Sequence, residues 1–354
     1  MNCCINCFKD KEIRSIINSY NNSGNCDFCG SGNISIYDVN CIPNPVADGI
    51  VGIVNIYDIS EHSEAKPLKN ALCDDWDIFA VGSETILLLV KRLCASAYSE
   101  DSGIFSRNVG IPRLSNLGHL QQVAIVGGKT WFEFSEYIKY KNRFHANTFN
   151  ARVFGKYLES AEKEYEEGTI MYRARIASTE SGFDIDDMGA PPTSKRISGR
   201  INPEGIGVLY LSLDKETVFH ESRASTLDFV SVGAFRLKKD IRIVNLTKIS
   251  EVSPLLFMED TEDLEQYAAN RKILKEIALE IAKPLRRNDG PLEYLPTQYI
   301  TEFIKSKGYD GVEFASTLRE GGYNLAVFDE DVFECFEVNT VEVSKITYET
   351  IPEL

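Results

Sequence analysis

The chain has 354 residues, 43% hydrophobic and 26% charged. That balance argues against global disorder, and at roughly 150 residues per domain the length predicts two domains. A formal net charge of −15 disfavours general attraction to DNA, RNA or an anionic membrane, which needs clustered Lys and Arg, yet allows a local basic pocket for a small dinucleotide. No apolar run approaches the roughly 18 residues of a membrane span; the strongest, Ile86–Val90, is flanked by Glu84 and Lys91. The opening MNCCINCFKDKE lacks the basic and apolar regions of a signal peptide. A cytoplasmic protein without membrane contact is expected, and its nine cysteines are better explained by a metal site plus buried thiols than by disulfides.

Residues 1–35 carry two pairs, Cys4-x2-Cys7 and Cys26-x2-Cys29, separated by 18 residues. Four thiolates at this spacing can converge tetrahedrally on Zn²⁺ with no open position, so the predicted site is structural. Cys3 is out of register with the first pair. Lys9, Lys11 and Arg14 are balanced by Asp10, Glu12 and Asp27, which leaves no basic footprint for nucleic acid. Short β-type runs follow (ISIYDV, IVGIVNIYDI), then amphipathic helix from about Asp74 to Tyr98 and again over Lys129–Tyr140. VAIVGGKTWF lacks the full phosphate-loop pattern and reads as a turn. His62, His119, His145 and His220 show no metal spacing. An acidic helix over Phe154–Glu167 is predicted to close the first region at Gly168. The expected domains are residues 1–150 and 151–354.

After Gly168, TIMYRARIA and GVLYLSL alternate as strands should. Between them lies the loop MGAPPTSKRISGRINPEG. Asp214 is placed to cap a helix through Ser225, and further helices are predicted over about Leu264–Ala282 and Thr297–Lys305. GVEFAS, NLAVF, FECFEV and VEVSKITYE read as strands. The mixed order of helices and strands predicts an α+β fold rather than a doubly wound sheet.

In TIMYRARIA, Arg173 and Arg175 share one face. Paired guanidinium donors match the oxygens of a pyrophosphate. Arg200 falls on a turn, Tyr210 in a strand, and Glu221 on the next helix, three residues after Val218 and therefore expected to face inward. An inward carboxylate needs a partner or a task, and Tyr210 beside it offers a stacking surface for a flat aromatic group. From residue types alone, ordinary structural roles for these groups remain open.

The pieces YRAR, GAPP…GRINPEG, LYLS, HESR, LPTQYITEFIKSKGYDGVEFAS and GGYNLAVF, in that order over residues 170–330, resemble the RES family. The resemblance implies a fold related to ADP-ribosyltransferases and the activity of toxins that degrade NAD⁺. It implies catalytic roles for Arg173, Tyr210, Glu221 and Ser316, and NAD⁺-binding roles for Arg173, Arg175, Arg200, Asn202, Tyr210 and Asn324. Hydrolysis, phosphorolysis with phosphate as co-substrate, and ADP-ribosylation of a protein are alternative outcomes. A zinc-containing binding module with an inactive RES domain is the alternative from another class. The first half, with its paired CxxC and CDDWDIF, is similar to a domain found before RES and HEPN toxin domains, which implies recognition or regulation, with an antitoxin or regulatory protein as partner, in a toxin–antitoxin or phage-defence setting.

Overall fold

The computed structural model describes residues 1–100, 102–192, 196–258, 260–283 and 290–347. They fall into two compact units, one of residues 1–130, 147–154 and 251–274, the other of 131–146, 155–250 and 275–354.

The first unit opens with β1 (Asn2–Cys4), α1 (Lys11–Ser19), β2 (Ser23–Gly24) and β3 (Ile34–Asp38), the strands forming an antiparallel sheet in the order β1-β3-β2. The first six residues of IVGIVNIYDI, expected as β-type, instead complete the helix α2 (Pro45–Asn55). Asn44 caps it by accepting from Ala47 N, Pro45 stands in its first turn, and Val46, Ile50, Ile53 and Val54 bury one helical face. The 3.6-residue period therefore outweighs the β propensity of its valines and isoleucines.

Next come β4 (Asp58–Ile59), β5 (Lys66–Pro67), α3 (Leu68–Trp76), α4 (Ser83–Leu93), α5 (Ala95–Glu100), β6 (Asn108–Gly110) and α6 (Leu117–Val123). The single helix expected over residues 74–98 is thus three. Asp77 ends α3 in the left-handed region at φ 50°, and the released segment runs along the cysteine region: Ile78 O accepts from Lys9 N, and Ala80 N donates to Cys7 O. Trp76 is 1% exposed, stacks on Tyr267 with centroids 5.5 Å apart, and donates from Nε1 to Tyr57 Oη. Asp77 holds Arg271 at 2.6 Å. CDDWD thereby ties residues 251–274 to their unit.

The four cysteines of the two pairs bring their sulfurs within 4.8 Å of one another. Cys4 Sγ lies 4.0 Å from Cys7 Sγ and 3.4 Å from Cys29 Sγ, and Cys7 Sγ lies 3.5 Å from Cys26 Sγ. Sulfurs about 2.3 Å from one zinc lie about 3.8 Å apart in a tetrahedron, so the set fits that ion. Phe28 N and Cys29 N both donate to Cys26 Sγ at 3.4 Å. Cys4, Cys7 and Cys26 belong to the buried cluster that includes Phe8, Ile13, Ile17 and Trp76. Cys3 alternates with Cys4 along β1 and stands outside the set.

Chain order continues with α7 (Trp131–Tyr140), α8 (Ala151–Ser160), β7 (Glu162–Tyr165), β8 (Ile170–Ala177), β9 (Leu209–Ser212), α9 (Lys215–Ser222), β10 (Phe229–Leu237), β11 (Ile241–Asn245), α10 (Leu246–Ser250), α11 (Thr261–Ala282), α12 (Leu295–Ser306), β12 (Gly311–Ala315), β13 (Tyr323–Val327) and β14 (Phe333–Glu342). The eight strands, all in the second unit, form one sheet in the order β14-β10-β8-β9-β13-β12-β11-β7, antiparallel except for β11 with β12. The mixed α/β architecture matches the α+β expectation. The acidic helix expected through Glu167 stops at Ser160, because Lys163 and Tyr165 serve an edge strand: both donate to Glu313, which is 1% exposed, Lys163 Nζ at 2.9 Å from each carboxylate oxygen. An unpaired carboxylate there would be costly. FECFEV and VEVSKITYE, expected as two strands, merge in β14 through Glu342; Tyr348 and Glu349 lie outside the described residues, as do Thr193–Lys195 of the glycine- and proline-containing loop.

Trp76→Ala should destabilise the first unit by about 3–5 kcal/mol, read by urea unfolding; a loss under about 1 kcal/mol would mean the Trp76–Tyr267 stack is dispensable. Elemental analysis of purified protein should find about one zinc per chain. Cys7→Ser should remove it and lower the unfolding midpoint by about 10 °C or more, and a midpoint unmoved by chelators would remove the metal from the account of stability.

Candidate active site

The cysteine set offers four ligands to an ion and no open position, so reactive chemistry has to be sought in the second unit. There, β8 pairs with β10 at eight positions but with β9 at one, Tyr172 opposite Ser212. β9 pairs instead with β13, from Leu209–Val327 to Ser212–Asn324. Two neighbouring strands that share one pair diverge beyond it. A cavity of about 550 Å³ is lined by Arg173 and Ala174 of β8, Tyr210 of β9, the 196–202 loop, Glu221 of α9, Ile281 at the end of α11, Phe314 of β12 and Asn324 of β13. That is a volume suited to a small ligand.

Arg173 bridges the two strands where they part, donating from Nη1 to Tyr210 O at 3.4 Å. Its Nε is buried and has no hydrogen-bond partner among the described residues. Burial, and then the positive charge of Arg175, pulls this guanidinium down to about 10. It remains protonated at neutral pH, and an anion beside it would relieve both penalties. Arg175 goes elsewhere: it stacks on Phe183 at 4.1 Å, donates to Asp187 O, and is absent from the cavity lining. The geometry thus separates two arginines that the strand pattern leaves equivalent.

Glu221 lines the cavity but is exposed, not inward-buried as its helical phase predicts. Its position is nevertheless fixed. Ser316 Oγ donates to Oε1 at 2.6 Å and Asn324 Nδ2 donates to the same oxygen at 2.8 Å. Among the described residues no protein donor is recorded on Oε2. Asn324 Oδ1 accepts in turn from Ser212 Oγ at 2.6 Å, so its amide orientation follows from its two neighbours. Ser316 is absent from the lining and touches Glu221 instead.

Tyr210 lines the cavity and is 36% exposed, and its hydroxyl donates to Asn202 Oδ1 at 3.0 Å. Burial of that end raises the phenol above its ordinary range, against the opposing pull of Arg173. Asn202 is buried, and its Nδ2 donates to Ile197 O, Pro203 O and Ile206 O. Its amide is committed to shaping the loop, although the residue forms part of the wall. Arg200 donates to Glu280 O at 3.1 Å and lies over Tyr294 at 5.7 Å, and it also lines the cavity.

The loop owes its shape to residues without an assigned role in the sequence. Gln298 Nε2 donates to Ser198 Oγ, Gly199 O and Asn202 O, and Thr301 Oγ1 donates to Ile201 O. Both residues are buried on α12. Polar residues on a buried helix face were the available signal. Arg196 adds a pair with Glu330 at 2.9 Å. The cavity therefore combines half-buried arginine donors, an aromatic residue and an oriented carboxylate, a set able to hold an anionic ligand and stabilise positive charge developing near it.

No curated protein matches the chain. Among solved structures, one similar chain comes from the crystal structure of the M. tuberculosis MbcT–MbcA toxin–antitoxin complex, with 11% identity and a TM-score of 0.33 over 53% of this chain and 92% of that one. A family model, the RES domain, matches residues 170–349, which encloses every lining residue named above, and this chain belongs to the RES family.

Proposed function

We propose that the chain consumes NAD⁺ by breaking the bond between nicotinamide and ribose. The observation that carries this is the convergence of Arg173, Arg200, Tyr210 and Glu221 on one cavity. The buried, unsatisfied Nε of Arg173 favours a phosphate oxygen as its partner, and Arg200 supplies a second cation for the pyrophosphate. The exposed face of Tyr210 packs on nicotinamide. Glu221 faces the ribose. As the C1′–N bond breaks, its electron pair leaves with nicotinamide, which departs neutral, and positive charge spreads over C1′ and the ring oxygen. A carboxylate held by two donors stabilises that charge without reorganising.

An acceptor then bonds to C1′. Water yields ADP-ribose and a proton, inorganic phosphate yields ADP-ribose 1″-phosphate, and a protein nucleophile yields an ADP-ribosylated side chain. Zinc on Cys4, Cys7, Cys26 and Cys29 would take no part in these steps, because its four positions are filled by protein. An enzyme that drains NAD⁺ harms its own cell unless restrained, so an inhibitory partner belongs to this proposal, in a toxin–antitoxin or phage-defence setting, with residues 1–150 in recognition or regulation and 151–354 in catalysis.

Purified protein incubated with NAD⁺, with and without phosphate, should release nicotinamide, and the second product should identify the acceptor. Glu221→Gln should lower the rate by about 100-fold or more with an unchanged unfolding midpoint. Arg173→Ala should raise KM by about tenfold or more. Folded wild-type protein that leaves NAD⁺ intact in both buffers would sink the proposal.

A further inference from the structure

The carboxylate and the serine that holds it come from different parts of the chain. Glu221 lies in the last turn of α9, a helix of eight residues, while Ser316 begins the loop between β12 and β13. Their 2.6 Å contact requires loop and helix to stay in register. Within the loop, Leu318 N and Arg319 N both donate to Ser316 Oγ at 3.2 Å, Ser316 N donates to Gly322 O at 2.8 Å, and Gly322 N donates to Arg319 O. These bonds shape the loop but do not attach it to α9.

Beyond the Ser316–Glu221 contact itself, attachment comes from the Arg319 side chain. Its Nη1 donates to both carboxylate oxygens of Asp214 and to Thr217 Oγ1, each at 2.9 Å, and its Nη2 donates to Glu216 Oε2 at 2.6 Å. Asp214 is the cap of α9, accepting from Thr217 N at 2.9 Å. A cation at a helix N-terminus opposes the helix dipole, and here it is held by the acidic cap, Asp214, and by Glu216 of the first turn. Contact is close: a Cβ on Gly322 would lie 2.6 Å from Thr217 Oγ1, so only glycine lets the loop approach. Gly321, at φ +73°, turns the chain beside it.

We propose that Arg319 is a positioning residue for the NAD⁺ reaction: it clamps the Ser316 loop onto the first turn of α9, so that Ser316 Oγ stays on Glu221 Oε1. It rests on the function proposed above. Arg319 touches no group of the cavity lining directly; it acts through Ser316. The pair is half-open to solvent, with Arg319 27% and Asp214 41% exposed, and such surface pairs add little to stability. Loss of the clamp is therefore separable from loss of the fold.

The test is a double-mutant cycle on full-length protein, assayed for nicotinamide release from NAD⁺. Arg319→Ala should lower kcat by about 10- to 100-fold with KM within about threefold, and Arg319→Lys should recover part of it. In a Ser316→Ala background the same change should cost less than about threefold. Asp214→Asn, which keeps a capping side chain but removes the charge, should reproduce a part of the loss if Arg319→Ala folds poorly. Equal losses in both Ser316 backgrounds, or a change confined to KM, would overturn the assignment. Wild-type protein inert toward NAD⁺ would overturn the proposed function alone. The clamp would then be decided by amide exchange at Leu318 and Arg319: acceleration of about tenfold in Arg319→Ala supports it, and unchanged exchange refutes it.

Discussion

The geometry of the cavity depends on the convergence of two donors, Ser316 Oγ and Asn324 Nδ2, on one oxygen of Glu221. An exposed glutamate on a two-turn helix would ordinarily sample many rotamers. Two hydrogen bonds from separate segments remove that freedom before any ligand arrives. Orientation set in advance is what makes a carboxylate effective against charge that develops only during bond breaking.

The cavity that receives this carboxylate exists because the sheet opens. β8 is fully paired with β10 and almost unpaired with β9. Where the ladder stops, Arg173 spans the gap to the Tyr210 carbonyl, and the space beyond it is walled by a loop from residues 196–202. That loop contains no regular structure. Its carbonyls are satisfied instead by Asn202, Gln298 and Thr301, which substitutes side-chain amides and a hydroxyl for the missing strand partners. A cavity wall built this way is defined without a ligand.

The same economy of long-range contacts governs the first unit. Its sheets have two to five residues per strand, too short to stand alone. Cys4, Cys7 and Cys26 at one place and the Trp76–Tyr267 stack at another both feed one apolar cluster. In CDDWD the break after Trp76 is as consequential as the helix before it, because only a chain that leaves the helix can lie along Cys7.

Sequence by itself determined what repeats locally. The CxxC spacing, the alternation of TIMYRARIA and the Asp214 cap all specify neighbours a few residues apart, and the ordered RES pieces identified the family. Tertiary structure alone decided what depends on partners distant in the chain. It separated Arg173 from Arg175, turned Ser316 toward Glu221, committed Asn202 to its loop, and made residues 162–165 a strand rather than the end of a helix because Glu313 needed donors. The partners of the FVSVGAFRL and IRIVN strands, β10 and β11, are likewise set by distant segments, β8 and β12. Local periodicity records which face of an element is apolar; the identity of the group across the gap is fixed only when segments 100 residues apart are packed together.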